Sequence, residues 1–200
     1  MSQPFSLRQL RGAPATSTPL RDSILILIDC QNTYTDGLLK LDGIDAALNN
    51  ASALLQRARA VGATIIHIAH DAGPGSPFDV RAHSGAIADA VAPAGSEPTI
   101  VKTHPNAFWE TGLQEQIEET GKKNLILIGF MTHMCVNSTA RAAYNLGYQV
   151  SVPADATATR ALPDPRGGDI PAATVQAVSL AAMADVFATV VPGVSDVPDR

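Results

Sequence analysis

The sequence predicts an α/β domain of three layers, αβα, in which a doubly wound, mainly parallel sheet of six strands carries helices on both faces. Three observations carry that expectation. Residues 24–29 (ILILID) and 125–129 (LILIG) are aliphatic without alternation, as in central strands of a parallel sheet buried on both sides. Segments with helical spacing fall between strand-like segments along the chain. Aromatic residues make up only 4% of the 200 residues while Ala, Val, Ile and Leu abound, which suits helices packed on such a sheet.

The elements follow in order. The first 20 residues hold Arg, Ser, Thr and Pro but no acid, and residues 1–22 read as an arm, flexible or reaching a partner subunit. Residues 24–29 form the first central strand. Ala47, Leu48, Ala51, Leu54, Leu55, Ala58 and Val61 then keep helical spacing, and Gly62 supplies the stop. A strand is expected at 64–69 (TIIHIA). Residues 71–97, rich in Gly, Pro, Ser and Ala, join a strand to a strand. They make a loop-heavy excursion placed to line a pocket, with one short helix at 86–91. A strand at 99–102 (TIVK) precedes a helical stripe of Leu113 and Ile117 that ends at Gly121. The second central strand, 125–129, leads into a helix marked by Val136, Ala140, Ala143 and Gly147, and 148–153 (YQVSVP) gives another strand. Asp169 as N-cap and Pro171 near the first turn open a last helix carrying Val175, Val178 and Ala182. Residues 186–191 (VFATVV) close the sheet. The whole is one domain over 23–195, with a tail at 196–200.

Charge and cysteine usage narrow the function. The net charge is −5 and no basic run occurs, so neither nucleic acid nor an anionic membrane is an expected partner. Two cysteines are too few for a disulfide framework and lack zinc-ligand spacing. No apolar stretch approaches membrane length and no signal-peptide core follows Met1, so a cytoplasmic protein is expected.

Doubly wound sheets bind ligands beyond the carboxyl ends of their strands, where the strand order reverses. Cys135 falls there, in GFMTHMCV (129–136), after the second central strand and at the start of a helical pattern. A thiol in that place rests on the positive end of a helix dipole, which favours a thiolate and any oxyanion formed when it attacks a carbonyl. Asp29 ends the first central strand, and burial of an acid behind so aliphatic a run prepares it as a base. Lys102 ends its own strand and points toward the same edge. Base, charge stabiliser and nucleophile make a kit for acyl transfer. Each has a plainer reading: a buried apolar thiol, a turn acid bonded to local N–H groups, and a lysine snorkelling from a strand end. Cys30 follows Asp29 on the alternate face and reads as an inert buried thiol. On a helix His133 is turned about 200° from Cys135, so it lines the pocket or bonds neighbouring backbone. His67 reads as a satisfied core or interface histidine and His70, at its strand's end, as a pocket residue.

The segments LIDCQNTY (27–34), VKTHPNAF (101–108) and GFMTHMCVNSTARAAYNLGYQVSVPADATATR (129–160) together resemble the isochorismatase-like superfamily of cysteine hydrolases. That group includes nicotinamidases, N-carbamoylsarcosine amidase and biuret hydrolases. The likeness runs from about Ser23 to Val191. It implies the three-layer fold, an Asp–Lys–Cys triad at Asp29, Lys102 and Cys135, and a cis peptide joining Phe130 and Met131. That peptide would aim the N–H groups of Met131 and Cys135 into one oxyanion hole. Tyr34 stands where the family usually has Phe and is expected beneath the substrate, and Gln31 follows the family's Asp-x-Gln pattern and is expected to orient the loop. Phe108 and Trp109, close after Lys102, form an aromatic wall or else pack in the core or a subunit interface. His70, Thr132 and His133 complete the expected substrate contacts.

Two departures refine what the resemblance implies. Family nicotinamidases carry an Asp-x-His…His metal motif after the second strand. Here that place reads His70-Asp71-Ala72-Gly73-Pro74, with no His two residues after Asp71, so no metal and no cofactor is expected. Members that hydrolyse a vinyl ether generally lack the cysteine, so Cys135 argues for covalent C–N cleavage. The expectation is a cysteine hydrolase of small amide or carbamoyl compounds, working through a thioester and assembled as a homodimer or homotetramer. A metal-assisted nicotinamidase-type amidase, a non-catalytic small-molecule-binding homologue, and a thiol redox protein using Cys30 and Cys135 are the alternatives. The last needs both cysteines on one edge.

Overall fold

The computed structural model describes residues 4–200, so the first three residues of the expected arm lie outside the described residues. A four-residue helix α1 (Leu7–Leu10) opens the chain, its end closed by a Ser6–Gln9 capping box. The Leu7 N–H donates to Asp185 Oδ1 at 2.8 Å, and Arg8 Nη2 to Thr189 Oγ1 at 2.6 Å, so the arm lies on its own domain.

Strand β1 (Ser23–Ile28) is wholly buried, helix α2 (Ile44–Ala60) follows, and Gly62 at φ +67° ends it as expected. Then come β2 (Thr64–His70), β3 (Thr99–Lys102), α3 (Leu113–Thr120), β4 (Asn124–Phe130) and α4 (Asn137–Asn145). Strand β5 (Gln149–Pro153) is followed by three two-residue strands: β6 (Thr157–Ala158), β7 (Leu162–Pro163) and β8 (Asp169–Ile170). Helix α5 (Ala172–Val186) and strand β9 (Thr189–Val191) complete the fold. The expected short helix at 86–91 is replaced by two single turns of 3₁₀ helix, His83–Gly85 and Asp89–Val91. Backbone bonds from Asn32 N–H to Ala86 and from Ala88 N–H to Cys30 hold this excursion against the chain after β1.

The sheet runs β3-β2-β1-β4-β5-β9, all parallel, with β6 added beside β4. β4 pairs with β5 through Asn124–Ile126 and then, past a splay, with β6 through Gly129 and Phe130, so the sheet has seven strands rather than six. Strand order reverses between β1 and β4, which sets the switch point at their carboxyl ends. Alternation splits β1 between two cores. Leu25 and Leu27 pack with α2, and Ile24, Ile26 and Ile28 with residues of α3, α4 and α5. Each such buried Leu or Ile contributes about 1.5–3 kcal/mol, so the strands that carry the site are its most firmly anchored parts.

The last helix departs from expectation. Its buried residues are Ala172, Val175, Ser179 and Met183, while Val178 is 63% exposed. Asp169 belongs to the β7–β8 hairpin rather than a cap, and the helix continues to Val186, which delays the last strand to Thr189. A helix apolar on every side carries no periodic signal for its inner face. Among the described residues, no helix is long and apolar enough to cross a membrane.

Candidate active site

Asp29 leaves β1 at φ +50°, a left-handed backbone that ends the strand, and its N–H still donates to Ile68 on β2. Across from it, Gly129 on β4 pairs with Ile28 at φ +113°. A Cβ there would lie 2.0 Å from the Ile28 carbonyl oxygen, so only glycine lets the two strand ends approach. Phe130 and Met131 are joined by a cis peptide. The next five residues, Thr132–Val136, form a turn of π-helix that carries Cys135 into α4. Lys102 ends β3 in register with His70, the last residue of β2.

These elements deliver three side chains to one place. Lys102 Nζ stands 2.7 Å from Asp29 Oδ2 and 3.4 Å from Cys135 Sγ. Its third neighbour is His70 Nδ1 at 3.2 Å. The ammonium hydrogen-bonds His70 and Cys135 and meets Asp29 as an ion pair, which leaves both Asp29 oxygens without a hydrogen-bond partner among the described residues. Asp29 is 0% exposed, Lys102 1% and Cys135 6%, so the residue that carries the nucleophile is the least buried of the three.

Burial dominates the electrostatics. It raises the Asp29 carboxyl above the ordinary carboxylate range, against the opposing pull of the Lys102 ammonium. It also pushes the Cys135 thiol up, and the Asp29 carboxylate adds to that push while Lys102 resists it. The expected dipole-stabilised thiolate is therefore corrected. Cys135 sits late in a π-turn ahead of α4, not at a free helix N-terminus, and desolvation wins. Burial and the Lys102 charge lower His70, so its neutral Nδ1 can accept from the ammonium.

The remaining expected residues divide. Gln31 Nε2 donates to the His70 and Gly85 carbonyls while its Oε1 accepts from the His70 N–H, which ties the loop after Asp29 to β2. Tyr34 is buried, edge-on to Phe78 at 5.5 Å and to Phe130 at 6.0 Å. Thr132 Oγ1 donates to Ala158, and His133 Nδ1 meets Thr159 Oγ1 rather than the thiol. Phe108 stacks on Tyr148 and packs against the core cluster that includes Cys135, and Trp109, 55% exposed, lies edge-on to His104. His67 is a satisfied core histidine, 2.9 Å from Glu97. Cys30 and Cys135 belong to opposite cores, which leaves no common edge for a redox pair. Phe78, which bridges Tyr34 and His70, lies in the glycine-rich loop where periodicity gives no signal.

A metal does not fit the residues present. Arg81 Nη2 at 3.1 Å and the Gly73 N–H at 2.9 Å both engage Asp71 Oδ1. Among the described residues, no three His, Cys, Asp or Glu side chains are grouped to hold an ion.

Fold and site together define a hydrolytic enzyme built at the switch point of a parallel sheet. The chain belongs to the isochorismatase family: the model of the isochorismatase domain matches residues 23–193. A secreted isochorismatase effector of Verticillium dahliae is 38% identical over 93% of this chain and 96% of its own length. A streptothricin hydrolase of Streptomyces noursei is 30% identical over 93% of this chain and 74% of its own. The crystal structure of an isochorismatase from Pseudomonas putida superposes with a TM-score of 0.92 at 38% identity, covering 98% of this chain and all of that one. The first of these relatives is secreted by name, so the cytoplasmic expectation gains no support from it.

Proposed function

We propose that the protein is a cysteine hydrolase that cleaves a C–N bond of a small amide or carbamoyl compound through a thioester at Cys135. The observation that carries this reading is the single ammonium of Lys102 held between Asp29 Oδ2 and Cys135 Sγ in a largely buried site. Asp29 takes the thiol proton as sulfur attacks the carbonyl carbon, and Lys102 offsets the negative charge passing between them. The Met131 N–H donates to no acceptor within the described residues, and with the Cys135 N–H it would receive the oxyanion. One such donor is worth roughly 3–4 kcal/mol of barrier. Protonated Asp29 returns its proton to the leaving nitrogen, the C–N bond breaks, and an acyl thioester remains. Asp29 then accepts a proton from water as the hydroxide attacks, and gives it back to sulfur when the thioester opens.

The hydrolase name of the Streptomyces relative supports bond cleavage by water. The test is ammonia or amine release across nicotinamide, carbamoyl amino acids, biuret, aliphatic amides and aryl amides, with Cys135→Ala alongside. Release that Cys135→Ala abolishes supports the reading. Undiminished release by that variant removes it, and silence across the panel despite a reactive Cys135 favours a binding homologue.

The working form is a homo-oligomer. The outward residues of α5, Ala173, Thr174, Ala177, Val178 and Ala181, carry no charge, and exposed Phe5 and Leu10 lie on or beside α1, which packs against that helix. An apolar outer helix face in water calls for a cover.

A further inference from the structure

Three groups surround the Lys102 ammonium, but only two of them fix its direction. Attraction between opposite charges acts at any angle, whereas a hydrogen bond sets where an N–H points. Asp29 Oδ2 lies 2.7 Å from Nζ, yet both Asp29 oxygens lack a hydrogen-bond partner among the described residues. The directed bonds run to Cys135 Sγ at 3.4 Å and to His70 Nδ1 at 3.2 Å. The proposed chemistry gives the first of these a task and leaves the imidazole without one.

The His70 ring is held for that contact. His70 pairs with Lys102 in the parallel register of β2 and β3. Gln31 grips the His70 backbone from both sides, accepting from its N–H at 3.0 Å and donating to its carbonyl at 2.9 Å. Phe78 meets the ring edge-on at 5.1 Å and meets Tyr34 in the same way at 5.5 Å, so the glycine-rich excursion buttresses it. An ammonium has no lone pair to offer, so Nδ1 must accept and the ring carries its proton on Nε2. Burial first, then the Lys102 charge, holds His70 below its ordinary range against the pull of the Asp29 and Asp71 carboxylates, which keeps the ring neutral.

We infer that His70 is a positioning residue for the hydrolysis: its Nδ1 takes one N–H of Lys102 and so turns another toward Cys135 Sγ. The inference rests on the hydrolase reading for the role of Cys135, but it concerns the aim of the ammonium and is read without turnover. Lys102 is a group that resists the rise of the thiol pKa. With Nδ1 gone, the buried ammonium is left with a spare N–H, and the open Asp29 oxygens draw it off the sulfur. A thiolate at Cys135 then loses support.

The experiment follows iodoacetamide labelling of Cys135 in the full-length protein near neutral pH by mass spectrometry. Asn places its side-chain oxygen close to where imidazole holds Nδ1, and Leu has a similar shape without an acceptor. One unit of added thiol pKa cuts the thiolate about tenfold, and the more basic sulfur regains part of that loss by reacting faster. Labelling of His70→Leu should therefore slow about threefold or more. His70→Asn recovers most of the wild-type rate. In a Lys102→Met background His70→Leu should have no further effect, because the ring acts through the ammonium. Thermal melts check folding, and His70→Ala, which also lacks an acceptor, is read in the same way. Unchanged or faster labelling of the Leu and Ala variants, an Asn variant no faster than these, or a loss that persists without Lys102 overturns the role. Because labelling needs no turnover, the contrast between Leu and Asn stands even if every amide is silent, and a working hydrolase without that contrast removes the positioning role alone.

Discussion

Asp29 carries a burden unusual for a residue at a strand end, since it is sealed from water and must both accept and return a proton. Its raised pKa sets the pH dependence. The base works only when ionised, so the acid limb of kcat/KM should lie above the ordinary carboxylate value of about 4. Lys102 lowers that pKa, so in Lys102→Met the limb should move further up while kcat falls. A limb at or below 4 in the wild type, or one that moves down in Lys102→Met, contradicts the assignment. Since the thiol is also pushed up, activity should stay level near pH 8.5, where an ordinary cysteine ionises, rather than rise with it. The two thiols should differ as well. Cys30 is 2% exposed in the core under α2, so iodoacetamide should label Cys135 well before it, and the reverse order in a peptide map would count against the site.

At the scale of elements, two junctions fix the geometry. Gly129→Ala would drive a Cβ into the Ile28 carbonyl, and a loss of more than about 3 kcal/mol in urea unfolding is expected. An unchanged midpoint would mean the strands can separate there. The second junction ties α2 to β2 and β3 through Glu97, which Arg59 holds in a bidentate pair at 2.8 Å and His67 meets at 2.9 Å. Those bonds, Arg59 first, pull the Glu97 carboxyl from 4.5 down to about 2. A lowered acid stabilises the fold fully above its unfolded pKa and loses that contribution as pH falls through the folded one. Glu97→Gln should therefore cost about 1–3 kcal/mol at neutral pH and show a flatter decline of stability between pH 4.5 and 2. Chemical melts across that range read both effects. Much of this was visible in the sequence, because ILILI and LILIG leave no choice but strands buried on both faces, and Asp29, Lys102 and Cys135 sit at strand ends by position alone. What stayed hidden had no local signal. The uniform apolarity of α5 concealed its inner face, two-residue β6 was too short to read, and the thiol's environment depended on a lysine 33 residues away in the chain.

For the molecule as a whole, the sheet explains why residues so distant meet. Parallel strands put every carboxyl end on one edge, and the order reversal between β1 and β4 opens a gap there into which β3 sends Lys102. Assembly belongs to the same scale. If the outward face of α5 is covered by a second copy, Val178→Asp should lower the mass seen by light scattering to that of one chain, and a monomeric wild type would contradict the assembly. The central claim, that Cys135 carries the acyl group, is tested most directly by turning over a responsive amide in hydroxylamine. The account predicts hydroxamate or hydroxyurea formed at the expense of the acid, from capture of the thioester, with none from Cys135→Ala. Full hydrolysis with no trapped product at any hydroxylamine concentration would contradict it.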